Sequence, residues 1–266
     1  KKDEEKYLKF WTQFGTVLKE GIFEDTENKD ILLDLTLCAS TNDSEALTSL
    51  KDYVDRMKPE QEAIYYITGE SRAAVENSPH LEAFQDKGYE VLLFTDPVDD
   101  VWLQSTNEYD GKTLQSVSKG AVDLGTEDEK KKDEAQRKEH EETYGSLLER
   151  LQKELADEVK EVRLSKRLTN SAACLVGEAG DMSPHMEKLM SAMGTGAPAS
   201  KRVLELNPNH PVLEKLGVLF EKDADTPEIS DYAQLLYGQA LLAEGSPLAD
   251  PGKFAQQVAN LMANAL

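Results

Sequence analysis

The chain has 266 residues, 39% of them hydrophobic and 30% charged, with 51 acidic side chains against 30 basic ones and a formal charge of −21. That length can bury two separate cores, and that charge excludes a nucleic-acid backbone or an anionic membrane surface as a general partner. No apolar run reaches the length of a membrane-spanning helix, and no secretory leader pattern opens the sequence. It starts Lys1-Lys2-Asp3, without Met and in what reads as mid-helix, as an excised fragment would. Cys38 and Cys174 lie far apart in apolar surroundings, which suits reduced core residues in a cytoplasmic protein.

Residues 5 to 35 read as helices. Tyr7, Leu8, Phe10, Trp11, Phe14 and Leu18 form one stripe that Gly21 stops, and Ile31, Leu32 and Leu35 begin another segment. From Ser49 the period changes repeatedly. A helix from Leu50 to Met57 precedes an apolar strand at Ala63 to Ile67. Helices follow from Ser71 and from Pro79, the latter ending at Gly88. Then come a strand at Glu90 to Phe94, a turn at Asp96-Pro97, a helix near Val98 to Ser105 and a short strand at Leu114 to Val117. Apolar strands alternating with helices predict a small, mostly parallel sheet covered on both faces.

Thr126 to Glu129 fits a capping box. The helix behind it is a solvated charged face through Lys130-Lys131-Lys132 and Glu139 to Glu142, then turns amphipathic at Tyr144, Leu147, Leu148, Leu151 and Leu155. Strands follow at Val159 to Leu164, Ala172 to Val176 and Arg202 to Leu206, with a Met-rich helix from Met182 to Met193 and a loose run to Ser200 between them. A helix from Pro211 to Phe220 leads to a terminal helical hairpin, Pro227 to Leu266, whose helices start at Thr226-Pro227 and Asp250-Pro251 and break at Gly245-Ser246-Pro247. The predicted fold class is α/β plus α+β. Residues 1–125 form one domain, with helices over 1–45 and an α/β/α unit over 46–125, and residues 126–266 form the second.

The hairpin is apolar over more of its girth than one supporting layer needs. Tyr232, Leu235, Leu236 and Leu242 on its first helix, with Phe254, Val258, Leu261 and Met262 on its second, are candidates for a homodimer interface; packing wholly onto the chain's own domain is the alternative. Met182, Met186, Leu189, Met190 and Met193 fall on one helix face. Unbranched, polarizable thioethers adapt to many partner shapes, so this face reads either as a promiscuous binding surface or as a core stripe.

Catalytic signals are weak. Gly69-Glu70-Ser71-Arg72-Ala73 follows a strand and opens a helix, as a nucleophile elbow does, with His80, His140, His185 or His210 as conceivable base and Asp96 or Asp99 as its orienting acid. Ala73 stands where that motif prefers Gly and no glycine-rich oxyanion segment precedes it, so Ser71 reads better as a helix N-cap. His140-Glu141 lacks a second His one turn on, the cysteines and histidines are too scattered for structural zinc, and no phosphate-binding glycine loop occurs.

The order of motifs resembles a known family. Tyr7-Leu8-Lys9-Phe10-Trp11, Phe14-Gly15 and Leu18-Lys19-Glu20-Gly21 are followed by Ile64-Tyr65-Tyr66-Ile67-Thr68-Gly69-Glu70-Ser71, Asn77-Ser78-Pro79 and Asp110-Gly111-Lys112. Val162-Arg163-Leu164-Ser165, Glu205 to Pro211 and Ala240 to Gly245 continue the series. Together they resemble the heat shock protein 90 chaperones, in their bacterial branch, from the later middle domain through the C-terminal dimerisation domain.

The resemblance implies a homodimeric, cytoplasmic, ATP-dependent chaperone as the parent. ATP and magnesium would be cofactors of that parent, with none in this chain, which would not itself be an enzyme. The hairpin matches the dimer helices. Met182, Met186, Leu189 and Met190 match a helix that contacts non-native client proteins, and an aromatic of the same site falls at Val101 or Trp102, assigned to Trp102. Thr36 stands where the family usually carries arginine. The end, Asn264-Ala265-Leu266, lacks the Met-Glu-Glu-Val-Asp tail of eukaryotic members, so tetratricopeptide-repeat partners are not expected. A serine hydrolase using Ser71 and a pure dimerisation scaffold are the competing expectations.

Overall fold

Strand β3 (Ala63–Thr68) shows how the first sheet is built. Its side chains alternate: Ile64 enters one apolar core, while Ala63, Tyr65 and Ile67 enter another on the opposite face. β4 (Leu92–Phe94) repeats this, with Leu92 and Phe94 on the first side and Leu93 on the second. Both strands run apolar because both sheet faces are covered.

The structure is a computed structural model and describes residues 3–121, 123–124, 127–195 and 200–265. Among them are eleven α-helices and nine strands in two sheets. The first sheet also contains β1 (Leu37–Ser40), β2 (Asp43–Ser49), β5 (Glu108–Tyr109) and β6 (Lys112–Ser116), in the order β2-β1-β4-β3-β6-β5. β3 pairs in parallel with β4 and β6, whereas β1 pairs antiparallel with β2 and β4, and β5 antiparallel with β6. The sheet is therefore mixed, not mostly parallel. The helical reading of residues 1–45 fails at β1 and β2, where pairing of β1 to β4 and of β2 to β1 overrides a sequence of small and polar residues.

On one side lie α1 (Glu4–Glu24), α2 (Lys29–Leu35), α3 (Leu50–Arg56) and α6 (Pro97–Ser105). On the other lie α4 (Arg72–Glu76), a 3-10 turn at Pro79–Leu81 and α5 (Glu82–Asp86). Gly21 does not end α1. It lies within the helix, and a Cβ there would sit 2.9 Å from Leu32, so the glycine lets α2 close on α1. Thr36 is buried, and its hydroxyl donates to the Leu32 carbonyl at 2.9 Å.

α7 (Glu127–Glu154) leads to the second sheet, β7 (Glu161–Leu164), β8 (Ala173–Val176) and β9 (Val203–Leu206), in the order β7-β9-β8. The capping box expected at Thr126 lies outside the described residues. α8 (Pro184–Ala192), α9 (Pro211–Lys222), α10 (Glu228–Glu244) and α11 (Pro251–Ala265) complete the chain. One core joins Leu147 and Leu151 of α7, and Leu155 just past its end, to Leu204 and Leu206 of β9 and to Ile229, Ala233 and Leu236 of α10. Pro227 precedes α10 without a side-chain cap, correcting the role expected for Thr226, while Asp250 caps α11 by accepting the Lys253 N–H at 2.9 Å. Both cysteines are free and buried.

The sheets meet along a polar seam. The Gly120 N–H donates to the Gly177 carbonyl, and the Gly177 N–H to the Ser118 carbonyl. The Arg167 guanidinium, 1% exposed, binds the Glu205 carboxylate at 2.9 Å and the carbonyls of Val117 and Gly120 at 2.5 and 2.6 Å. Opposite, burial works to raise the Glu82 carboxyl, but the Ser171 hydroxyl and the backbone N–H groups of Asn170, Thr169 and Ser171 all donate to it and hold it below the usual glutamate range.

Candidate functional site

α8 begins at Pro184 behind Ser183, whose hydroxyl accepts the Met186 N–H at 3.0 Å. At its second residue, His185 Nδ1 lies 3.0 Å from the Asp100 carboxylate of α6, and one turn in Lys188 pairs with Glu70 at 2.5 Å. These contacts dock α8 by its polar flank. Only Met186 among its apolar residues is buried; Leu189 and Met190 are half-buried, Met182 is exposed, and Met193 is 67% exposed. The expected stripe is thus neither a sealed core nor wholly free.

Trp102 does not join that surface. It is 0% exposed, donates its indole N–H to Asp99 at 2.8 Å, and meets the Phe94 ring edge-on with centroids 5.3 Å apart. Asp99, also buried, pairs with Lys19 at 2.9 Å, so Trp102 anchors α6 onto α1. The assignment of Trp102 to a client surface is corrected here: the indole has no outward face. Val101 is exposed and stands beside Asp100, the residue that grips His185.

The α10 and α11 candidates divide similarly. Leu236 is buried in the chain's own core, which removes it from any interface with a second copy in this conformation. Leu242 and Met262 are 52% and 62% exposed. Tyr232, Leu235, Val258 and Leu261 are half-buried, and Phe254 lies over Gly238, where a Cβ would be 2.6 Å from its ring. A groove of about 920 Å³ opens between α8, α10 and α11, with Lys188, Arg202, Tyr237, Leu241 and Phe254 among its walls.

Ser71 is a helix cap. Its hydroxyl accepts the Ala74 N–H at 3.3 Å, and each histidine is engaged elsewhere. His80 is buried, His140 leans on Tyr144, His185 faces Asp100, and His210 caps α9 through the Val212 N–H. Asp96 and Asp99, the suggested orienting acids, both bind Lys19. Among the described residues no group of three or more His, Cys, Asp or Glu side chains could hold a metal ion, and no helix is long and apolar enough to cross a membrane.

The family model of the Hsp90 protein matches residues 1–266. The chain belongs to the Hsp90 family. Within it, the chain resembles the bacterial HtpG type: it is 52% identical over 264 residues to the chaperone protein HtpG of Frankia casuarinae, covering 99% of this chain and 41% of that relative. It is 53% identical over 262 residues to that of Salinispora tropica (98% and 41%) and 51% over 263 residues to that of Mycobacterium leprae (98% and 40%). The chain spans about two fifths of the length of these relatives.

In this Hsp90-family chain, two residues of the α6–α8 surface were named from the sequence but left out of the client-site assignment: Met193, placed on the methionine face, and Val101, the alternative to Trp102. Met193, the C-cap of α8 four residues beyond Leu189, is the most exposed of these thioethers, on the face where helical spacing places it. Val101 was readable from its neighbours: Asp99, Trp102 and Leu103 define the inner face of α6, which leaves position 101 outside.

Proposed function

We propose that this chain is the part of an Hsp90-type chaperone that pairs with a second copy through α10 and α11 and holds non-native proteins on α8, with Val101 at its side. In this reading residues 1–125 are the later part of a middle domain and residues 126–266 a dimerisation domain ending in a helical hairpin. ATP, magnesium and turnover belong to the whole cytoplasmic protein, and neither nucleic acid nor membrane is a partner. The observation that carries the reading is an α8 docked by charged contacts while Met182, Met190 and Met193 stay reachable. Burying apolar patches of an unfolded chain releases about 25 cal/mol per Å² without sequence-specific polar contacts, so binding should be weak and tolerant of sequence.

The test replaces Met182, Met190 and Met193 by Ser and measures affinity for a permanently unfolded protein and suppression of its aggregation. Each lost thioether contact is worth about 1 kcal/mol, so the triple variant should bind at least tenfold more weakly with unchanged thermal stability. Unaltered affinity would remove α8 from the client surface. Met186 is left intact because its burial would confound folding with binding.

A further inference from the structure

Arg202, just ahead of β9, is buried between two carboxylates from different helices. One arm of its guanidinium bonds Glu187 of α8, and the other bonds Glu244, the last residue of α10, at 2.5 Å. Glu187 also accepts the Ser200 N–H at 3.2 Å, and the Ser246 hydroxyl donates to Glu244 at 2.5 Å. Arg202, Glu187, Tyr237 and Leu241 all line the groove between α8 and α10, so this single cation spans the groove's floor.

We propose that Glu187, Arg202 and Glu244 form a proton-gated clasp that fixes how closely α8 lies against α10. When both carboxylates are ionised they share one guanidinium and leave a net negative charge in a buried site, with Glu187 and Glu244 repelling each other. When Glu244 takes up a proton the clasp is neutral, Arg202 belongs to Glu187 alone, and α8 is drawn in. Burial pushes the Glu244 carboxyl up to about 7, with Arg202 opposing and Glu187 reinforcing the rise. The other groups in this field are Tyr237 on the same helix and Cys174 on β8, both raised chiefly by burial, and, on the side of Arg202, Lys119 and His80, both lowered chiefly by burial. His80 is pushed down to about 3 and is neutral throughout the range concerned. Lys188, Lys201 and Lys253 with Asp157, Glu158 and Asp250 line the outer groove.

The clasp concerns the position of α8 and not what α8 binds, so it is tested without a client. The 266-residue chain carries six methionines, of which four lie on or beside α8, while Met57 and Met262 report α3's end and α11. With methyl-labelled methionine, the Met186 and Met190 resonances should move between pH 5.5 and 8.5 with a midpoint near 7, and that of Met57 should stay still. In Glu244→Gln the movement should vanish and both methyls should rest at the acidic wild-type position. In Arg202→Lys both should rest apart from it at every pH; should that variant lose its fold, displacing Met57 as well, Glu244→Gln decides alone. Static α8 methyls in the wild type overturn the proposal. So does a titration that survives Glu244→Gln and disappears in His185→Gln, which would assign the proton to the Asp100 pair, or a Glu244→Gln spectrum frozen at the alkaline position.

Discussion

Two buried residues at the seam between the sheets set most of what single substitutions should reveal. Arg167 satisfies Glu205 and two backbone carbonyls at once. Arg167→Met keeps volume but strands those acceptors, and breaking a buried pair by removing one partner costs about 3–5 kcal/mol, to be read as a lower urea midpoint. His80, buried beside the backbone of Leu175 and close to the Arg167 charge, is pushed down to about 3 mainly by burial. The unfolded chain therefore binds a proton that the folded chain refuses below the ordinary value of 6.5, so this site's stabilisation is whole above that value and drains away as pH falls toward 3. Between pH 7.5 and 5 the wild type should lose about 2 kcal/mol more than His80→Gln in paired denaturant titrations. Glu244 acts with the opposite sign: its raised pKa makes the folded chain the better proton acceptor between 4.5 and about 7, so its contribution falls as pH rises through that window.

Among the elements, β3 and β4 were legible because burial on both faces writes an uninterrupted apolar run, and the caps at Ser71 and Asp250 because local chemistry dictates them. β1 and β2 were not. β2 is an edge strand exposed over Asp43 to Leu47, so nothing in its own composition marks it as a strand, and only the partner edge decides. The β5–β6 hairpin did carry a signal that went unread: Asp110-Gly111 is a two-residue turn with both residues at positive φ, 49° and 71°, between paired strands. Trp102 and Val101 show a different limit, since a family register one residue out exchanges an inner position for an outer one. At Gly238 helix propensity and packing disagree. Alanine in a helix interior is ordinarily better than glycine by about 1 kcal/mol. Here its Cβ would press on Phe254 at 2.6 Å, and overpacking costs about 1–3 kcal/mol. Gly238→Ala should therefore destabilise, and amide exchange should show α11 loosening first.

For the whole molecule, association through the last two helices makes the clearest demand. Leu242 and Met262 are exposed in the single chain and touch no core, so Leu242→Asp with Met262→Asp should leave monomer stability unchanged. If these side chains meet a second copy, sedimentation should show dimer dissociation shifted by about ten- to a hundredfold, since each buried apolar anchor is worth about 1–2 kcal/mol. An unchanged sedimentation profile would send the interface elsewhere.

The Lys19 arrangement has a practical consequence for spectroscopy. The chain has two tryptophans, and both surround one ammonium: Trp11 has it 6.0 Å from its ring, and Trp102 shares Asp99 with it. Tryptophan emission thus watches a single spot, where α1 crosses α6, and has no reporter after residue 126. Loss of the far half would register in circular dichroism while the indoles stayed silent, so the gap between the two melting curves measures how far one half of the molecule can come apart without the other.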